Sequence, residues 1–336
     1  MRSIALTNAH LEELKGKTVI VTGAAGGIGG ETARTYHSHG SNVVLADLEQ
    51  MRSFAEAVMA SLSEPSRAMF VPVDILDWAQ MTSLFRSTKE RFGSVDVVVA
   101  NAGVMESRPV LESNEVDENG DLKEPAEAYK VIDINLKGTL NTLRLALFHM
   151  AKNEPKFPDG SRGSVVLVTS TSGYFGGTGV AAYVSSKHGA TGLLRASQVA
   201  ANKVQIRVNG IAPSFTATRL TENFAKAWYE AGFEHNTPHH VAHVIAQMSV
   251  DPSRRGACCL VAGRILREME HSRTDLLSEW LGDELVQFMN NVGGLLAGMG
   301  GLPLPKLPAL QQEPRRSSRT SMNQASGLRN SGKASM

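Results

Sequence analysis

Cysteine is nearly absent from this chain of 336 residues: there are 2, and they are neighbours, Cys258 and Cys259. Adjacent side chains in an extended strand point to opposite faces, which argues against a disulfide between them. They read as two small buried hydrophobes in a reducing compartment. Long apolar runs are also missing; none reaches the about 18 residues that suggest a membrane span. Charge of one sign is not in excess, since 34 Lys and Arg face 33 Asp and Glu for a formal net charge of +1. That balance gives no reason to expect nucleic acid or a membrane surface as partner. Met1 to Lys17 is polar and carries Glu12 and Glu13, unlike a signal or transit peptide, so a cytoplasmic location is expected. Metal-ligand patterns are scarce as well. His239, His240 and His243 follow the helix start Thr237-Pro238 without a nearby cysteine or clustered acid, so they read as a surface group and no metal is expected.

What is present is a rhythm. Short apolar runs at Thr18–Thr22, Asn42–Ala46, Ala68–Val73, Val95–Ala100, Ser164–Thr169, Gln205–Ile211 and Ala257–Ala262 alternate with longer helical patterns. Such runs read as βαβ units, and their long connections suit parallel pairing. The expected fold is α/β: a Rossmann-type, doubly wound, seven-stranded parallel sheet with helices on both faces. Two stretches break the rhythm. Glu106 to Lys130 holds 8 acids and 3 bases around the turn signal Asn119-Gly120, and reads as a surface excursion beside the site or as a solvated loop. Asn153 to Arg162 reads as a loop. One domain is expected over residues 1–292, followed at 293–336 by a disordered basic tail in which no acid follows Glu313.

Chemistry concentrates at two places. Thr22-Gly23-Ala24-Ala25-Gly26-Gly27-Ile28-Gly29 lies between the first strand and a helical pattern. There, free amides and the helix dipole can hold a pyrophosphate. Gly23 permits a tight turn, Gly27 a close approach of backbone to phosphate, and Gly29 close helix packing. Asp47, at the end of the second strand, can accept from both ribose hydroxyls and repel a 2′-phosphate, which favours NAD; it can equally be a helix N-cap. Arg52 is close enough to keep NADP open. The second place is Ser170, Tyr183 and Lys187, with Tyr183 13 positions after Ser170 and 4 before Lys187. On a helix, Tyr183 and Lys187 share a face. A neighbouring positive charge favours the phenolate, so Tyr183 can act as acid/base, and Ser170 can orient the substrate oxygen.

In this order the motifs resemble the classical short-chain dehydrogenase/reductase family over roughly Gly16 to Arg267. The further matches are Asp74 in Val73-Asp74-Ile75, Asn101-Ala102-Gly103, and Asn135 in Asp133-Ile134-Asn135-Leu136-Lys137-Gly138. The resemblance implies that Asp74 and Ile75 hold the adenine end and that Asn101 supports the cofactor cleft. It implies that Asn135 completes a proton path through Lys187, and that Lys187 also grips a ribose. By alignment, Thr216 and Thr218 would contact the carboxamide and phosphates. It also implies a homodimer or homotetramer built on helices near Ala126–Lys152 and Ala181–Asn202. The chain departs from the family pattern at Pro213-Ser214, where Pro-Gly is usual, and at Ala262-Gly263-Arg264, where Asp-Gly-Gly is common.

The expected function is NAD(H)-linked interconversion of a secondary alcohol and ketone. Met105, Tyr174, Phe175, Phe215, Phe224, Trp228, Tyr229 and Phe233 suggest a bulky apolar or aromatic small molecule, compatible with secondary metabolism. They could equally be the core of a helical cap. The alternatives are an NADPH-linked ketoreductase and a non-catalytic nucleotide-sensing protein.

Overall fold

The computed structural model describes Ile4, residues 7–112 and residues 114–305. Among these, the chain forms one eight-stranded sheet in the order β3-β2-β1-β4-β5-β6-β7-β8. The strands are β1 (Thr18–Thr22), β2 (Asn42–Asp47), β3 (Ala68–Pro72), β4 (Val97–Ala100), β5 (Gly163–Val168), β6 (Ile206–Pro213), β7 (Cys258–Ala262) and β8 (Ile265–Glu268). All pairings are parallel except that of β8, which turns back antiparallel on β7. The valine-rich central strands are buried on both faces, as parallel sheets require. Alternation then sorts their side chains. Val19, Val21, Val97, Val99 and Cys259 join one apolar layer, while Ile20, Val98, Ala100 and Cys258 join the other. The two cysteines are free and buried on opposite faces of β7.

The helices are α1 (Gly27–Ser38), α2 (Arg52–Ala60), α3 (Trp78–Phe92), α4 (Ala126–Ile132), α5 (Thr139–Met150), α6 (Ala181–Lys203), α7 (Glu222–Glu230), α8 (Pro238–Val250), α9 (Glu270–Asp275), α10 (Leu277–Leu281) and α11 (Asp283–Gly298). A π turn, Asp133–Gly138, joins α4 to α5. Helices α1 and α8 cover one face of the sheet, and α3, α5 and α6 supply the other layer. None of the described helices is long and apolar enough to cross a membrane. Because β1 pairs with both β2 and β4, the winding reverses there. In such sheets a ligand usually lies at the carboxyl ends of the strands beside this reversal.

The sheet has one strand more than the seven read from the sequence. Its four residues, Ile265-Leu266-Arg267-Glu268, include two charges, and only Glu268 is buried. That is the signature of a short edge strand and not of a buried run. The pairing Ala262↔Ile265 leaves Gly263 and Arg264 as a two-residue hairpin loop, with Gly263 at φ +58°, the positive φ that such loops demand. The chain divides into two compact units, residues 1–277 and 278–336. In the second, α11 runs without a break through residues 292 and 293, and Asp283 and Glu284 in its first turn complement the helix dipole. Most of the basic tail, residues 306–336, lies outside the described residues.

Candidate active site

The first strand ends at Thr22, and the chain must turn sharply to start α1. Gly23 adopts φ +67°, and a Cβ there would lie 2.8 Å from the Ala102 Cα. At Gly29 the restriction is tighter. A Cβ would sit 2.1 Å from the Gly23 carbonyl oxygen and 2.6 Å from Asn101 Nδ2. Asn101 is what closes this turn: its Nδ2 donates to the carbonyls of Thr22 (2.9 Å) and Gly23 (3.1 Å). The consequence is a cradle at the start of α1 whose first-turn amides have no partner within the helix. Gly27 and Ile28 lie in that turn, with the Thr218 side chain directly above Gly27. This shape and this donor set fit a dinucleotide pyrophosphate.

At the end of β2, the Asp47 carboxylate is pinned from two sides. Ala25 N donates to Oδ2 at 2.9 Å and Leu48 N to Oδ1 at 2.8 Å. Each oxygen keeps acceptor capacity for a hydroxyl. Arg52 turns away from this point, bidentate to Glu49 at 2.6 and 2.9 Å. Asp74 is half-buried and accepts from Leu76 N at 2.9 Å, which shapes the turn after β3. Ile75 is buried, against Gly138 of the π turn.

Ser170, Tyr183 and Lys187, the residues expected from the sequence to handle a proton, meet near the carboxyl end of β5. Ser170 is buried and accepts from Ser172 N at 3.1 Å. Gly173 allows the segment to press on α6, since a Cβ there would lie 2.8 Å from the Lys187 carbonyl oxygen. On α6, the Lys187 ammonium is 5.6 Å from the centre of the Tyr183 ring and donates to the Val168 carbonyl at 3.0 Å. Burial raises the Tyr183 phenol above its usual 10, and interaction with the Ser170 hydroxyl offsets part of this. Burial also lowers the Lys187 amine to about 8. Both shifts come from desolvation, which disfavours each charged form.

Asn135 is fully buried in the π turn, a distortion that concentrates at functional sites. Its Oδ1 accepts from Val104 N at 2.8 Å, and its Nδ2 donates to the Val104 carbonyl at 2.8 Å and to Ser186 Oγ at 2.9 Å. It therefore clamps the segment after β4 to α6. Lys187 Nζ and Asn135 Oδ1 both face Gly103.

After β6, Ser214 keeps an ordinary negative φ; among described non-glycine residues, Gln205 has the positive one. The Pro213-Ser214 turn thus needs no glycine. Thr216 is buried with Oγ1 donating to the Ser214 carbonyl at 3.0 Å, and Thr218 starts a short 3-10 turn, Arg219–Thr221. Arg219 stacks on Phe54 of α2 at 4.0 Å from the ring centre. The aromatics divide. Phe215 packs against Phe224, Trp228 and Tyr229, and Trp228 against Phe233. Tyr174 instead donates its hydroxyl to Glu270 at 2.8 Å, while Arg195 grips the same carboxylate at 2.7 and 2.9 Å.

Residues 17–228, more than half of the chain, match the family model described as short chain dehydrogenase. The chain belongs to the short-chain dehydrogenase/reductase (SDR) family. This SDR is 30% identical over 301 residues to the short-chain dehydrogenase/reductase prx4 of Penicillium rubens, covering 84% of this chain and 85% of that one. It is 33% identical over 274 residues to ascJ of Acremonium egyptiacum, covering 81% and 87% respectively. Among solved structures, 3-hydroxyacyl-CoA dehydrogenase type-2 from Mycobacterium avium aligns with a TM-score of 0.64 and 28% identity, over 77% of this chain and 98% of that one.

Three residues of this SDR site escaped sequence reasoning. Asn236 is fully buried and ties the segment after β6 to the end of β7: its Nδ2 donates to the Val261 carbonyl at 2.9 Å, and its Oδ1 accepts from Gly263 N at 2.8 Å. Ser186 links Asn135 to the Tyr183 carbonyl. Glu106, placed by its sequence in an acidic excursion, is 4% exposed. No local signal marks any of the three, because each is defined by partners distant in the chain.

Proposed function

We propose that this SDR interconverts a bulky, apolar or aromatic secondary alcohol and the corresponding ketone, with NAD(H) as hydride partner. The observation that carries this reading is the convergence of Ser170, Tyr183 and Lys187 at the carboxyl edge of the sheet that also bears the glycine cradle. A bound nicotinamide would accept hydride from the carbinol carbon or return it to the ketone. The protein's part is the proton. In oxidation, Tyr183 Oη takes the hydroxyl proton while Ser170 Oγ orients the same oxygen. In reduction, the phenol donates. Lys187, one turn further along α6 with its ammonium 5.6 Å from the centre of the Tyr183 ring, would when charged favour the phenolate against the burial that raises the phenol. Asn135 holds the neighbouring segment in register for the proton path.

NAD is favoured because Asp47 is held by two backbone amides and cannot swing clear of a 2′-phosphate, while Arg52 is committed to Glu49. One observation favours NADP instead: Arg219, stacked on Phe54, brings a guanidinium to α2, the helix that follows Asp47. The Phe215, Phe224, Trp228 and Tyr229 cluster supports an apolar substrate wall. Tyr129, Ile132, Leu140, Phe148 and Val199, exposed on α4, α5 and α6, support a homo-oligomer through these helices. Nicotinamide reduction with NAD and NADP in parallel, across bulky secondary alcohols, tests the reading. Turnover by the wild type that Tyr183→Phe abolishes supports it. Tight nucleotide binding without turnover on any alcohol or ketone tried favours a nucleotide-binding sensor.

A further inference from the structure

The loop that leads from Ser170 into α6 is poorly suited to hold a catalytic side chain. It runs through Gly176, Gly177 and Gly179, with no atom within 4 Å of the Cβ position at Gly177 or Gly179. It delivers the chain to Val180, which offers no side-chain cap to the helix. A 23-residue helix therefore begins with its first-turn amides uncapped by its own sequence. Tyr183 lies in that first turn.

Glu106 supplies the missing cap from across the fold. Its Oε1 accepts from Ala182 N at 2.9 Å and its Oε2 from Tyr183 N at 3.0 Å. The residue is 4% exposed, so both bonds are shielded from water and are charge-assisted by the helix dipole. The same short segment reaches the opposite end of the tyrosine. Val104 is clamped by Asn135, Asn135 Nδ2 donates to Ser186 Oγ at 2.9 Å, and Ser186 Oγ donates to the Tyr183 carbonyl at 2.8 Å. Residues 104–106 thus hold both backbone polar groups of Tyr183, one directly and one through Asn135 and Ser186.

We propose that Glu106 is a positioning residue for proton transfer: it caps α6 at Tyr183 and locks the phenol in register with Ser170 and the segment that follows β4. This rests on the reading of Tyr183 as acid/base. The ionisable groups around the phenol are Lys187 on its own helix and Glu106 from the segment after β4, with the neutral Ser170 facing it from the turn after β5. Burial raises the Tyr183 phenol most, the Ser170 hydroxyl lowers it, and the negative charge of Glu106 adds to the rise. The residue therefore provides register while opposing the phenolate, and the two effects separate experimentally.

The test compares wild type, Glu106→Gln, Glu106→Asp and Tyr183→Phe. Tyrosine ionisation is followed by ultraviolet difference titration, with the Tyr183→Phe curve subtracted to isolate this phenol. Exchange of the Ala182 and Tyr183 amides is followed alongside. In Glu106→Gln, the phenol titrates at lower pH than in wild type and both amides exchange faster, whereas Glu106→Asp keeps the phenol near its wild-type position. With a substrate in hand, Glu106→Gln lowers kcat roughly tenfold to a hundredfold, the scale expected for misplacement of a catalytic group, with nucleotide affinity within about twofold. Unchanged exchange of the Ala182 and Tyr183 amides in a folded Glu106→Gln protein would overturn the proposal, whatever the phenol titration shows. Both readouts are independent of turnover, so a wild type that turns over no alcohol or ketone overturns the catalytic reading alone.

Discussion

Replacing Gly29 with alanine perturbs the glycine cradle without touching Ser170, Tyr183 or Lys187. The added Cβ would lie 2.1 Å from the Gly23 carbonyl oxygen, where ordinary contact begins at 3.4 Å. Neither neighbour can yield cheaply. One is backbone in a positive-φ turn, and the other is Asn101 Nδ2, which bonds two carbonyls of that turn. Overpacking costs about 1–3 kcal/mol, and the loss of one of the Asn101 bonds costs about 0.5–1.5 kcal/mol more. A penalty of roughly 3 kcal/mol expressed in the cradle weakens nucleotide binding roughly a hundredfold. Calorimetric titration with NAD and NADH measures this directly, with thermal unfolding in parallel. Gly26→Ala is the control for folding: its φ is 178° and nothing lies within 4 Å of its Cβ position, so its melting temperature stays at the wild-type value. Nucleotide affinity within twofold of wild type in Gly29→Ala, with unchanged melting, would refute the steric reasoning.

Asp47→Asn removes a charge that a 2′-phosphate would meet, so the kcat/KM preference for NAD over NADP falls tenfold or more, roughly as like charges at close range imply; parallel steady-state assays measure the ratio. Asn236→Leu strands the buried Gly263 amide and takes one of two donors from the Val261 carbonyl, which keeps the Ser214 amide; this costs about 1–3 kcal/mol in urea unfolding. The buried Lys187 amine is lowered to about 8, against 10.5 for a free lysine side chain. Below about 8 the amine is protonated folded and unfolded, and burial penalises the fold in full. From about 8 to 10.5 the folded state releases its proton first, so stability from this group rises with pH. Lys187→Met lacks this term and loses the bond to the Val168 carbonyl, so wild type gains stability relative to it as pH rises through that window; paired thermal melts follow the difference.

Most of the sheet was legible in the sequence because buried parallel strands are valine runs, and such runs need no knowledge of their neighbours. The glycine turn was legible because its spacing and the positive φ of Gly23 belong to one short stretch, although the Ala102 and Asn101 atoms that also crowd Gly23 and Gly29 lie far off in the chain. Residues 170, 183 and 187 were recognisable as a constellation because a helical spacing and a strand end place them. What escaped depends on distance. Glu106 looks like one acid among eight in its segment, and its burial is set by amides 76 positions away. Tyr174 sits in the loop expected to wall the substrate, yet its hydroxyl is taken by Glu270, 96 positions later. The π turn at Asp133–Gly138 adds a single residue to a helical repeat and leaves no change of period to read. Strand β8 is too short and too charged to stand out from a hairpin loop.

Under the proposed function, Tyr183 transfers the proton that accompanies hydride transfer. The most direct measurement is nicotinamide reduction by purified wild type and Tyr183→Phe, with bulky secondary alcohols and NAD, after calorimetry has shown equal nucleotide affinity. Wild type turns over and the variant is slower by a factor of about 100 or more, the scale of general acid/base catalysis. Equal rates in the two proteins would contradict it.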